Sequence, residues 1–193
     1  MTQNFVSRYT KNLTDLILQE SVQIELVLAV LYQGYKDNKK FVLAGNGGNF
    51  ANILHFGTDW TKGLYYSCGK AMNLKVLGSN PALLSAVVND LGHQASLKSL
   101  LEIEGCDNQT ILILLSAGGT SPNILTAAET GRELGAKVIG IMGGKNFESH
   151  KLFEALIHFN SQDIQLVEDA HAIFGHMLLK YFVEAENSPQ NND

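Results

Sequence analysis

Leu115-Ser116-Ala117-Gly118-Gly119-Thr120-Ser121-Pro122-Asn123 is a glycine- and hydroxyl-rich stretch between the apolar run Thr110 to Leu115 and a helical pattern that opens at Pro122. An apolar strand feeding a glycine turn that starts a helix is the repeating step of an α/β fold. Glycine lets backbone N–H groups approach an anion, Ser121 is placed to cap the helix, and Pro122 suits its first turn. The stretch reads as a phosphate cradle, with Ser116, Gly118, Thr120 and Ser121 as candidate contacts. A tight turn after a buried strand would use the same glycines without a ligand; the three hydroxyls are what favour the ligand.

The same alternation extends in both directions. Upstream, Phe41 to Ala44 is a short apolar run ending in Gly45, and Asn49 to Leu64 can be helical. Val76-Leu77 closes a second strand, and Pro81 starts a helix through Val88. Downstream, the helix from Pro122 to Leu134 stops at Gly135, Val138 to Met142 is a buried strand, Ala155 to Phe159 a weaker one, and Ile164 to Val183 a final helix. Before all of these, Leu13, Ile17, Ile24, Val27, Leu28, Leu31 and Tyr35 recur at helical spacing and predict one long amphipathic helix. Strands alternating with helices predict a doubly wound parallel sheet, with ligands outside the carboxyl ends of the strands. Both glycine loops fall there.

With 193 residues, 45% of them hydrophobic, the chain can bury the core of one domain, expected to span residues 1–193 with a helical segment over 1–37 and a polar tail over 186–193. The net charge is −5 and the basic residues are scattered, which argues against a nucleic-acid partner. Cys68 and Cys106 are too few for a disulfide scaffold and lack metal-type spacing, as for reduced thiols in a cytosol. No signal core and no window of ~18 uninterrupted apolar residues is visible, so a cytoplasmic protein without membrane contact is expected.

In the first loop, Gly45-Asn46-Gly47-Gly48-Asn49-Phe50, the last glycine of a dinucleotide fingerprint is replaced by Phe50. Neither loop carries the Gly-Lys-Ser/Thr of a Walker sequence. Two loops of small polar residues suit a compact phosphorylated ligand better than a nucleotide. Four ionisable residues fall on two helix faces. His55 and Asp59 stand four apart, and Glu168 and His176 eight apart. Two imidazoles and two carboxylates brought together would suit Zn²⁺ or another divalent transition metal. Taken singly these are weak signals: a His-x-x-x-Asp pair on a helix is more often a surface pair than a site, and Glu168 with Asp169 also reads as an ordinary solvated helix start. His171 competes with Glu168 and reads as a local packing or capping residue, while His93, His150 and His158 show no partner pattern.

Taken in order, Gly45-Asn46-Gly47-Gly48, His55-Phe56, Asn89-Asp90-Leu91-Gly92, Ser116 through Asn123, and His171 with His176 resemble the sugar isomerase (SIS) domain of the phosphoheptose isomerase family over roughly residues 35 to 185. The resemblance implies a flavodoxin-like parallel sheet flanked by helices and a homotetramer with active sites at subunit interfaces. It also implies interconversion of sedoheptulose 7-phosphate and D-glycero-D-manno-heptose 7-phosphate by proton transfer through an enediol, a step toward bacterial surface heptose. On the matching positions, Asp59 and His176 become catalytic residues. His55, Asp59, Glu168 and His176 become ligands of a divalent metal, with zinc as the expected ion. Asn46, Gly47, Asn49, Asp90, Ser116, Gly118, Thr120, Ser121 and Gln165 become substrate contacts.

The chain departs from that pattern at several positions. Relatives usually carry serine at Asn49, glutamate at Asp59, aspartate at Gln165, glutamine at Glu168, and Ser-Thr-Ser-Gly-Asn-Ser over Ser116 to Ser121. Two hydroxyls are thus absent, and Lys62 precedes Gly63, the position of a usual arginine. Three functions follow as expectations: an isomerase of a heptose or another sugar phosphate, a non-catalytic phosphosugar sensor, and a tetrameric adaptor of the bacterial replication initiator.

Overall fold

The computed structural model describes residues 4–145 and 147–188. Five strands, β1 (Lys40–Gly45), β2 (Leu74–Val76), β3 (Thr110–Ser116), β4 (Lys137–Gly143) and β5 (Ala155–Phe159), form one parallel sheet in the order β2-β1-β3-β4-β5. Their residues are apolar in unbroken runs because both faces are covered. Alternate residues nevertheless serve different layers. Phe41, Leu43, Ile111, Ile113, Ile139 and Ile141 face one, and Val42, Ala44, Leu112, Leu114, Val138 and Met142 the other.

The helices follow from the winding. The chain runs from β1 to β2 through α3 (Gly47–Thr58), a π turn (Asp59–Gly63) and α4 (Leu64–Cys68) on the first face. It then crosses back past β1 to β3 through α5 (Pro81–Leu91) and α6 (His93–Ile103), and on to β4 through α7 (Pro122–Glu133), all on the second face. Right-handed crossovers require this change of face when the direction of travel reverses. The reversal opens a crevice between β1 and β3, whose register pairs Gly45 with Leu115 and so sets the two glycine loops side by side. A short 3₁₀ turn (His150–Leu152) precedes β5, and α8 (Ile164–Asn187) returns to the first face. The flavodoxin-like α/β fold expected from the sequence is the fold observed.

Three sequence expectations change. The long N-terminal helix is two helices, α1 (Phe5–Gln19) and α2 (Ser21–Lys36), broken at Glu20. They serve different surfaces: Tyr9 of α1 donates to Asp169 on α8 at 2.7 Å, while α2 packs on the sheet edge, and the Glu20 carboxylate accepts the His158 N–H of edge strand β5 at 3.3 Å. Helix α6, with Leu97, Leu100 and Leu101 buried, has no counterpart in the sequence reading. Finally, α8 runs to Asn187 because Tyr32 donates to Glu186 at 2.8 Å and Lys36 pairs with it at 3.1 Å. The polar tail beyond residue 188 lies outside the described residues.

Candidate active site

Both glycine loops end in helices whose N-termini are not capped by their own N-cap side chains. At α7, Ser121 occupies the N-cap position with Pro122 following, as the sequence predicts, but its hydroxyl turns to Ser116 at 3.3 Å. Ser116 Oγ in turn accepts the Gly119 N–H at 3.1 Å. In the first turn of α7 Pro122 has no N–H and the N–H groups of Ile124 and Leu125 bond to the Ser121 carbonyl at 3.0 and 3.1 Å, which leaves that of Asn123 for a ligand, with Thr120 and Gly118 exposed nearby. By contrast, Asn80 at α5 and Asp163 at α8 do cap their helices.

At α3, Asn46 holds the N-cap position but gives its amide to Asn123 in a reciprocal pair, at 2.9 and 3.0 Å. This pair laces the two loops together. Asn123 is buried and lies 3.5 Å from His93, so His93 has a partner that the sequence did not show. The signal existed, since each loop carries asparagine, but only the adjacency of β1 and β3 makes Asn46 and Asn123 neighbours. Gly47 is open and in the left-handed region at φ +54°.

Asn49, expected to touch substrate, is buried instead and accepts a hydrogen bond from His171 Nδ1 at 2.6 Å. Position 49 is the inward-facing residue of the first turn, and a side chain as long as asparagine's reaches across to α8. His171 is fully buried, as its reading as a packing residue anticipated, and desolvation pushes it down to about 3, so it is neutral. Asp90 accepts from its neighbour Asn89 at 2.9 Å and is exposed on the last turn of α5, and Gln165 is exposed on the first turn of α8. Of the other histidines, His150 lies 2.9 Å from the Phe147 carbonyl and His158 2.7 Å from that of Gly144.

Further along α3 and α8 a second group assembles. His55 Nε2 and His176 Nε2 lie 2.9 Å apart, and Asp59 Oδ2 stands 3.5 Å from the first and 3.9 Å from the second. All three are within reach of one point. Four-coordinate zinc with bonds of ~2.0 Å sets its donors roughly 3.3 Å apart, and borderline-soft nitrogen with one carboxylate is a donor set it accepts, so the residues present fit a divalent transition metal. Glu168, expected as a fourth ligand, is not part of this group. Eight residues of helix separate it from His176 by about 12 Å along the axis. Its carboxylate lies over Gly48, where any Cβ would overlap it, at the positive end of α3.

The group owes its shape to a buried crossing. Phe56 and Trp60 stack at 5.1 Å and 12°, Trp60 Nε1 donates to the Gly175 carbonyl at 2.9 Å, and a Cβ at Gly175 would overlap the Phe56 ring.

A doubly wound α/β sheet, two laced glycine loops at its switch point and a metal-type donor group define a ligand-binding α/β protein of the flavodoxin-like class. The SIS domain family profile matches residues 4–143, and the chain belongs to that family. It is 28% identical over 177 residues to the phosphoheptose isomerase of Mycobacterium tuberculosis (strain ATCC 25177 / H37Ra), covering 90% of this chain and 89% of that one. It is also 28% identical over 156 residues to the phosphoheptose isomerase of Clostridium acetobutylicum, covering 81% and 79%. Among solved structures, a phosphoheptose isomerase from Francisella tularensis superposes with a TM-score of 0.83 at 18% identity, covering 95% of this chain and 99% of that one. The one from Neisseria gonorrhoeae superposes at 0.77 and 18%, covering 94% and 98%. That structural likeness is one of fold.

Proposed function

We propose that the chain is a sugar-phosphate isomerase that interconverts an aldose and a ketose, with sedoheptulose 7-phosphate as substrate and D-glycero-D-manno-heptose 7-phosphate as product, a step toward surface heptose. The observation that carries this reading is the group of His55, Asp59 and His176, held on α3, the π turn that follows it and α8 of the same chain that presents the hydroxyl loop. The curated relatives of that name, aligned over most of the chain, support the same activity.

The phosphate binds at the N-terminus of α7, to the Asn123 N–H and the hydroxyls of Ser116, Thr120 and Ser121, which orients the sugar. Isomerisation moves a proton between C1 and C2 and another between their oxygens, so it needs a base and an acid. Asp59 turns Oδ2 to both imidazoles, leaving Oδ1 to take the carbon-bound proton. His176, with its ring half-exposed, relays the proton at oxygen. Zn²⁺ held by His55, Asp59 and His176 would supply positive charge where the sugar oxygens become negative.

Self-association into a homotetramer belongs to this reading. Its support is a groove of about 640 Å³ between α1, α2 and α8, lined by Leu18, Val22, Leu26, Met177 and Tyr181. All five are exposed in the single chain, a cytoplasmic protein being the expected setting. None of the described helices is long and apolar enough to cross a membrane.

The test is turnover of sedoheptulose 7-phosphate with and without added Zn²⁺, in the wild type and in His176→Ala. The wild type should turn over, and the variant should fold normally and lose about 10²- to 10⁴-fold in kcat. Retained turnover in His176→Ala removes it from the mechanism. Binding of the sugar phosphate without turnover in the wild type would favour the sensor.

A further inference from the structure

Each residue of the donor group is the chain neighbour of a buried residue at one crossing. His55 precedes Phe56, Asp59 precedes Trp60, and His176 follows Gly175. The three buried neighbours touch one another. Trp60 and Phe56 are essentially without exposure, their rings stack at 5.1 Å, the Trp60 N–H bonds to the Gly175 carbonyl at 2.9 Å, and Phe56 fills the space over the Gly175 Cα. The crossing sits where α3 gives way to the π turn that starts at Asp59. Inserted π turns of this kind re-aim side chains, and they are frequent at functional sites.

From this arrangement we infer that Trp60 is a positioning residue for the donor group. Its indole N–H, through the Gly175 carbonyl, sets the rotation of α8 that aims His176 at His55 and Asp59. This rests on the metal-binding reading but not on turnover or on the choice of sugar. Stacking alone would allow α8 to slide or roll by a fraction of a turn, because apolar contacts have little directional preference. A hydrogen bond to a backbone carbonyl fixes that freedom at the residue adjoining His176. Outer contacts that orient metal ligands typically govern affinity by 10- to 100-fold.

The experiment compares Zn²⁺ affinity, by competition with a chelating dye, in the wild type, Trp60→Phe and Leu97→Ala. Trp60→Phe keeps an aromatic ring but loses the donor. Leu97, buried in the layer on the opposite face of the sheet, supplies a control that lowers stability without touching the crossing. Trp60→Phe should bind Zn²⁺ about 10- to 100-fold more weakly. Leu97→Ala should change affinity less than about twofold despite its lower melting temperature. Trp60 is the only tryptophan in the chain, so its emission should also change as Zn²⁺ is titrated into the wild type. The proposal is overturned if Trp60→Phe keeps wild-type affinity, if both variants lose affinity equally, or if the wild type binds no Zn²⁺. A result in its favour alongside absent turnover of sedoheptulose 7-phosphate would sink that choice of substrate and leave this inference standing.

Discussion

His171, which the sequence reads as a packing or capping residue, is fully buried with its ring committed to one partner. Its Nδ1–H is spent on Asn49, and its Nε2 has no hydrogen-bond partner among the described residues. Its folded-state value is about 3, well below the ~6.5 of an unfolded histidine. The unfolded chain therefore binds the proton first, so the stability contribution is intact above ~6.5 and declines as pH falls toward 3. The slope is about 1.4 kcal/mol per pH unit within that window. Melting temperatures at pH 7.5 and 5 should fall more steeply for the wild type than for His171→Gln, which cannot take up the proton. Equal slopes would show that this ring does not govern acid sensitivity. At this scale the sequence was informative about spacing and silent about direction. Four-residue spacing was enough to pair His55 with Asp59, because residues four apart share a helical face and the π turn that starts at Asp59 leaves them together. It could not show that Asn49 turns inward or that Glu168 lies over Gly48, because those depend on where α8 crosses α3.

The hydroxyl loop between β3 and α7 is shaped by its neighbour after β4. Gly119 is left-handed at φ +72°, and a Cβ there would overlap the Gly143 carbonyl and press on Phe147. Gly118 has open space above it, and its φ does not require glycine. Ala117, the other place where a hydroxyl is absent, is buried in the apolar layer and does not face the crevice. Restoring a hydroxyl with Gly118→Ser should change stability by less than about 0.5 kcal/mol and tighten phosphate binding. Gly119→Ser should cost roughly 1–3 kcal/mol through backbone strain and contact with the loop after β4. Chemical denaturation of the two variants checks the pair, and equal losses would mean that the neighbouring loop yields. The strands and α7 were legible because apolar runs between glycine turns have few other solutions. Helix α6, the break at Glu20 and the π turn were not, since each is set by the surface the segment packs against.

In the whole molecule, apolar surface is left uncovered on one side. Val22 is 68% exposed and Leu18 63%, in a groove that continues across α8 through Met177, the residue after His176. A patch of this kind is commonly an interface between chains. Val22→Glu should break the proposed tetramer into smaller species in light scattering, while the circular dichroism of the fold is kept; an unchanged mass would exclude this face from assembly. The sequence by itself determined the parallel α/β class, the two glycine loops and the pairing of His55 with Asp59, because these follow from local periodicity and turn chemistry. Only the tertiary structure decided that His176 joins them without Glu168, that Asn46 is tied to Asn123, and that Asn49 is withdrawn from the crevice. Those contacts join residues from 77 to 122 positions apart. Their geometry is fixed by strand order and by the close crossing at Gly175, which no local pattern encodes.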